Sequence, residues 1–268
     1  MYTINQRVRR RYSQSLYWMT IGAHSVVPNT VGSYYVVGHG KSGTNWLCSI
    51  LSTYYDIPVF EGWTRWLPST RSQIFHLHRF VVTPMARRRT FYLYRDGRDI
   101  VISSYFARLR QPYPVIRRRF EAYIGEPMDE KRLRSQLPEY IDWFFGVDRS
   151  SSLRWQQHID EALSRPYVRI SFEDMKRNPH EAVGRAIFEV DGDSVHEKRL
   201  AEAIDYNDFS RKKTKSNNSH FLRAGRSGDW RNYFTRDAAN RFNHHAGRAL
   251  VALGYAESLD WSEDCPES

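Results

Sequence analysis

Residues 34–46 read YYVVGHGKSGTNW, and this stretch decides the fold class. Its first four residues are apolar, as in a strand that is buried on both faces of a sheet. A loop of small residues runs from Gly38 to Thr44. The apolar residues that recur after it at helical spacing are Trp46, Leu47, Ile50, Leu51, Tyr54 and Tyr55. The stretch therefore predicts a strand, a glycine-rich loop and a helix.

The same order recurs along the chain. Short apolar runs predict further strands at 74–78, 91–94 and 167–170, and Asn178-Pro179 is typical of a helix start. Strands that alternate with helices predict a single α/β domain with a central parallel sheet flanked by helices. We assign this domain to residues 33–268, after a basic lead-in over 1–32. Residues 110–150 contain four prolines, so we interpret them as an insertion or lid over an acceptor site.

Composition narrows the function. The 268 residues carry a net charge of +10, which favours anionic partners. Two distant cysteines, Cys48 and Cys265, exclude a disulfide framework and a zinc cluster, and they fit a reducing compartment. No segment approaches the ~20 apolar residues of a spanning helix. We therefore expect a cytoplasmic protein that does not span a membrane.

The loop from Gly38 to Thr44 has the features of an anion site. Backbone N–H groups at a helix N-terminus attract anions, and Lys41 adds a positive charge. Gly38 and Gly43 match the glycine spacing of the triphosphatase motif G-x-x-x-x-G-K-[ST], which leaves open a P-loop-type kinase of a nucleoside or small metabolite. However, the lysine lies two residues before the second glycine instead of after it.

The loop resembles instead the 5′-phosphosulfate loop, P-K-S-G-T-x-W, of sulfotransferases that use 3′-phosphoadenosine 5′-phosphosulfate (PAPS). Gly40 stands where that family usually has proline. The resemblance implies a P-loop-like nucleotide-binding fold, a lysine that contacts the bridging and 5′-phosphate oxygens, and a tryptophan that flanks the adenine. The donor-binding residues it implies here are Lys41, Ser42, Gly43, Thr44, Asn45 and Trp46.

Two further segments resemble the family's 3′-phosphate motifs. Arg95 and Ser103 have the family's separation of eight residues, although Arg95-Asp96 and Arg98-Asp99 also fit surface ion pairs at a helix start. Residues 221–230 resemble the R-K-G-x-x-G-D-W segment, which implies that Arg223, Ala224 and Gly225 hold the 3′-phosphate; Ala224 replaces the usual lysine. The resemblance places two aromatic residues near the adenine, Phe172 and Phe209. It extends from about residue 34 to 235.

Sulfuryl transfer needs a base for the acceptor proton and positive charge on the departing phosphate. The family segment K-T-H aligns with residues 76–78, so His78 is the expected general base, with Lys41 and Ser103 assisting. His76 lies two residues away on the same strand face. A His-x-His pair is also half of a metal site, but no further ligands have suitable spacing, and this mechanism requires no metal.

The sequence thus predicts an enzyme that moves the sulfuryl group of PAPS to a hydroxyl or amine of a small molecule or saccharide, with 3′-phosphoadenosine 5′-phosphate (PAP) as product. The kinase is the alternative. A nucleic-acid-binding protein, which the arginine runs at 87–89 and 117–119 also suggest, is the weaker one, and we expect no nucleic-acid partner. Neither the acceptor nor the oligomeric state is specified by the sequence.

Overall fold

The structure is a computed structural model that describes residue 19 and residues 32–60, 72–80, 88–110, 115–148, 154–208 and 227–267. Its packing divides the chain into two compact units. The sheet unit lies within residues 1–38, 43–93 and 166–208, and the helical unit within residues 39–42, 94–165 and 209–268.

The described strands are β1 (Tyr34–Val37), β2 (Ile74–Leu77), β3 (Thr90–Tyr94) and β4 (Val168–Ser171). The described helices are α1 (Thr44–Tyr55), α2 (Gly97–Arg110), α3 (Val115–Ile124), α4 (Leu133–Asp142), α5 (Trp155–Leu163), α6 (Phe172–Arg177), α7 (Pro179–Asp191), α8 (Glu197–Tyr206) and α9 (Arg236–Ala252). The shorter helical turns are Glu130–Arg132, Trp143–Val147, Asp229–Asn232 and Leu259–Asp264.

The sheet unit is built on a sheet of order β2-β1-β3-β4. The central strand β1 pairs in parallel with β2 and with β3, and Val36 lies opposite His76 on one side and Phe91 on the other. All four residues of β1 are buried, as an apolar run between two parallel neighbours requires. The predicted α/β class with a central parallel sheet is therefore confirmed.

Two helices of the sheet unit begin at residues whose side chains cap them. Asn178 caps α7, and its side chain accepts a hydrogen bond from the backbone N–H of Glu181 over 3.3 Å, with Pro179 at the first helical position. The preceding helix, α6, is capped by the Ser171 hydroxyl, which accepts from the N–H of Asp174 over 3.0 Å.

The helical unit has an aromatic core. The α9 helix packs against α4 and α5, and fully buried rings fill the space around these helices. Residues 115–147 supply many of them, so most of the segment that we predicted to interrupt the fold consists of packed helices; its role as a lid stays a prediction. The buried rings of the unit include Tyr105, Phe120, Tyr140, Trp143, Phe145, Trp155, Phe234 and Phe242.

No helix in the described part of the chain has the length and apolar character needed to cross a membrane.

Candidate active site

The first part of the glycine-rich loop, within the helical unit, is held by hydrogen bonds between its own residues. The Ser42 hydroxyl donates to the carbonyl of His39 over 2.5 Å, and the Ser42 N–H donates to the same oxygen over 3.1 Å. Lys41 adopts a φ of 74°, in the left-handed region that non-glycine residues seldom occupy. A β-carbon at Gly40 would meet nothing within 4 Å, so the position where the family has proline has room for a side chain.

The second part of the loop, within the sheet unit, starts helix α1. Gly43 is its N-cap at a φ of 96°, and the carbonyl of Gly43 accepts from the N–H of Trp46 over 2.9 Å. A β-carbon at Gly43 would lie 2.6 Å from Cδ2 of Phe172, so only glycine fits this close approach. The N–H groups of the first turn of a helix have no partner within the helix, which suits them to bind an anion.

Burial and neighbouring charge set the electrostatics of Lys41. Burial, and then the positive charges of Arg108 and Arg95, lower the pKa of Lys41 to about 8. Arg95 also donates from Nη1 to the backbone carbonyl of Lys41 over 3.3 Å. The structure therefore brings together, within the helical unit, the first two motifs that the sequence singled out.

The two histidines are neighbours in the sheet unit, with ring centroids 4.8 Å apart. His76 on β2 is half-buried, and its Nε2 lies 2.7 Å from the hydroxyl of Thr44. Burial, and then His78, lower the pKa of His76 to about 4, so it is neutral at physiological pH. His78 follows the strand, is exposed, and its Nδ1 lies 2.7 Å from the carbonyl oxygen of Gly38.

The predicted adenine neighbours Trp46 and Phe172 are in contact. Their rings meet edge to face with centroids 6.3 Å apart, and both side chains are buried. The Trp46 indole N–H donates to the carbonyl of Asn207 over 2.9 Å. Four further residues that were predicted to bind the donor lie outside the described residues: Phe209, Arg223, Ala224 and Gly225.

The charged residues at the start of α2 form ion pairs, but not on the surface. Arg95 pairs with Asp99 over 3.5 Å and Arg98 pairs with Asp96 over 2.8 Å, and all four residues are buried. The carboxylate of Asp99 also accepts from the backbone N–H groups of Gly228 and Trp230, over 2.8 and 3.0 Å. The pKa of Asp99 is raised, chiefly by burial, and the charge of Arg95 and these two N–H groups oppose that rise.

Ser103 is half-buried on α2, and the next residue takes part in a buried network that sequence reasoning missed. The Ser104 hydroxyl accepts from Nη1 of Arg108 over 2.7 Å and from the Tyr140 hydroxyl over 3.1 Å. Arg108 also pairs with Asp148 and lies over the rings of Tyr140, Trp143 and Phe144. The sequence signal for this network was Arg108 within the otherwise apolar stretch 105–109.

Asn45, another residue predicted to bind the donor, is exposed in the first turn of α1. Its carbonyl accepts from the Ser49 hydroxyl over 2.9 Å. Among the described residues, no group of three or more His, Cys, Asp or Glu side chains is arranged to hold a metal ion.

Known sulfotransferases are similar to this chain in sequence and in fold. Sulfotransferase 1A1 of rat is 24% identical over 182 residues, which cover 61% of this chain and 56% of the rat protein. Sulfotransferase 1A1 of mouse is 22% identical over 262 residues, covering 80% of this chain and 83% of its own length. The crystal structure of mouse sulfotransferase SULT7A1 complexed with PAP shares the fold: the TM-score is 0.61 at 19% identity, over 87% of this chain and 88% of that one.

The family model that matches this chain is described as "Sulfotransferase domain". It matches residues 67–254, well over half of the 268 residues, and begins after the glycine-rich loop. The predicted family is thereby confirmed: this chain belongs to the sulfotransferase family, whose members use PAPS.

Proposed function

We propose that this protein transfers the sulfuryl group of PAPS to a hydroxyl or amine of a small-molecule or saccharide acceptor. The observation that carries the proposal is the hydrogen bond from Arg95 to the carbonyl of Lys41, over 3.3 Å. It joins two predicted phosphate-binding motifs that are 54 residues apart in sequence. PAPS has phosphate at both the 5′ and the 3′ position, so two adjacent cationic motifs match its chemistry better than that of ATP.

The donor would be held by charge and by backbone amides. Lys41 and the N–H groups at the start of α1 would bind the 5′-phosphosulfate, and Arg95 with Ser103 would bind the 3′-phosphate. Positive charge at Lys41 would stabilise the phosphate oxygen that becomes negative as the sulfur–oxygen bond of the donor breaks. The displaced product is PAP.

His78 would act as the general base. A carbonyl oxygen only accepts hydrogen bonds, so the contact with Gly38 places the proton of neutral His78 on Nδ1 and the basic lone pair on Nε2. That nitrogen would take the acceptor proton as the acceptor oxygen or nitrogen bonds to sulfur. His76 suits this role less well, because its pKa is about 4 and its Nε2 contacts Thr44.

We also propose a reducing, cytoplasmic setting, because the two cysteines, Cys48 and Cys265, are few and far apart in sequence.

Titration calorimetry with PAP, ATP and 5′-AMP tests the donor site. We expect PAP to bind far more tightly than the other two nucleotides, and Lys41→Ala and Arg95→Ala each to weaken it. The matched control is Arg177→Ala, since that arginine is exposed at the end of α6 and its ion pair among the described residues is with Asp174 in the same helix. ATP binding equal to or tighter than PAP binding would reject the proposal in favour of the kinase.

A second assay tests the transfer itself. Labelled PAPS is incubated with a phenol, an aliphatic alcohol, an amine and a monosaccharide, and sulfated product is separated from donor. Transfer to any of these that is lost in Lys41→Ala supports the proposal and begins to define the acceptor. PAP binding with no transfer to any member of a broad acceptor panel would contradict it.

A further inference from the structure

Asp99 connects Arg95 to a turn that lies far along the chain. Oδ2 of its carboxylate lies 3.5 Å from Nη2 of Arg95 and accepts from the N–H of Gly228 over 2.8 Å. Its other oxygen, Oδ1, accepts from the N–H of Trp230 over 3.0 Å. The side chain of Asp99 is fully buried, so its charge is compensated by the ion pair with Arg95 and by the two N–H groups.

The turn that supplies these amides is itself tightly specified. Gly228 has a φ of 77°, a left-handed conformation that favours glycine. Trp230 is fixed on its other side by the guanidinium of Arg98, whose Cζ lies 3.8 Å from the ring centroid. Asp99 thus accepts from two N–H groups of this turn, and it holds Arg95 relative to them.

We propose that Asp99 is a positioning residue for recognition of the 3′-phosphate of the donor, an inference that rests on the proposed function. Asp99 restrains the guanidinium of Arg95 and anchors the turn at Gly228, five residues after Arg223 and three after Gly225 in the sequence. Asp99 therefore determines how strongly the protein prefers nucleotides that carry a 3′-phosphate.

Two other roles for Asp99 make different predictions. If Asp99 only stabilised the fold, its loss would lower stability but weaken binding of PAP and 5′-AMP equally. If its negative charge opposed that of the phosphate, its removal would tighten PAP binding. A positioning role predicts weaker PAP binding with little change for 5′-AMP, which lacks the 3′-phosphate.

The test is calorimetric titration of the wild-type protein and Asp99→Asn with PAP and 5′-AMP. We expect Asp99→Asn to weaken PAP binding at least tenfold, to leave 5′-AMP binding within about twofold, and to raise the KM for PAPS more than it lowers kcat. The matched control is Asp96→Asn, which removes another buried carboxylate of the same helix start, one that pairs with Arg98. It should preserve the ratio of the two affinities. An unchanged ratio, or tighter PAP binding, in Asp99→Asn overturns the inference.

A wild-type measurement covers the case in which Asp99→Asn does not fold. Hydrogen exchange of a peptide spanning residues 227–232 should slow more in PAP than in 5′-AMP, each at saturation, because the 3′-phosphate tightens Arg95 against the turn. Equal protection by the two nucleotides would overturn the inference. If the wild-type protein itself fails to prefer PAP, the proposed function fails instead, so the two failures are distinguishable.

Discussion

The carbonyl oxygen of Gly38 and Nδ1 of His78 are 2.7 Å apart, and this hydrogen bond joins the first residue of the glycine-rich loop to the proposed base. Because the carbonyl accepts, the imidazole is held in one tautomer and one orientation. His76 differs from His78, because its Nε2 contacts the hydroxyl of Thr44 and not a carbonyl oxygen.

For the base, we expect His78→Gln to lower kcat by about 10²–10⁴-fold, the usual contribution of a general base, while PAP affinity is unchanged. Steady-state kinetics with labelled PAPS measure kcat, and calorimetry measures the affinity. The matched control is His76→Gln, which should retain most of kcat because a pKa of about 4 makes His76 a weak base and its Nε2 contacts the hydroxyl of Thr44. The reverse order of the two kcat values would assign the base to His76.

For Lys41, the lowered pKa predicts an alkaline decline in activity. The amine is cationic below its pKa of about 8 and neutral above it, so kcat/KM for PAPS should fall as the pH rises through 8. A bound anion favours the cation, so the decline in kcat should lie at higher pH. Lys41→Arg should lack this decline, since arginine stays charged. A flat wild-type profile from pH 7 to 10 would contradict the assignment.

For Gly43, substitution by alanine should destabilise the protein by roughly 1–3 kcal/mol, through the left-handed backbone and the contact with Phe172. Urea unfolding measures the loss. Phe172→Leu in the same chain should recover the steric part but not the backbone part. Full additivity of the two single changes would show that the Phe172 ring does not limit position 43.

For Arg108, removal of either charge of its buried pair with Asp148 should cost about 3–5 kcal/mol of unfolding free energy, because the partner is left uncompensated. Arg108→Met with Asp148→Leu should recover much of that loss. Arg108→Met should also move the alkaline decline of activity to higher pH, since Arg108 contributes to the lowered pKa of Lys41. An unshifted decline would mean that burial and Arg95, without Arg108, set this pKa.

The sequence predicted the sheet well because each strand is a short apolar run between glycine or polar residues. The predicted runs at 74–78 and 91–94 became Ile74–Leu77 and Thr90–Tyr94. The helices at 115–142 were harder to predict. A run of three arginines lies in α3 and Pro138 lies inside α4, where proline usually argues against a helix.

In the candidate site, too, some features could be predicted from the sequence and others could not. Motif spacing suggested Lys41 and Arg95 separately, but their contact depends on folding across 54 residues. The pairing at the start of α2 also could not be read from sequence neighbours, because Arg95 pairs with Asp99 rather than with the adjacent Asp96. Arg108 belongs to no sequence motif, and its buried charge lowers the pKa of Lys41.

The hydrogen bond between Asp99 and Gly228 spans 129 residues, and this separation governs when the helical unit can be completed during synthesis. A ribosome produces Arg95 and Asp99 long before it produces the amides that compensate the carboxylate. Until Gly228 and Trp230 emerge, Asp99 has only Arg95 among these three partners, and burial of α2 in its final form is unfavourable. A nascent chain that ends before residue 228 therefore lacks the full set of donors for Asp99, which makes closure of this turn a late event in biogenesis.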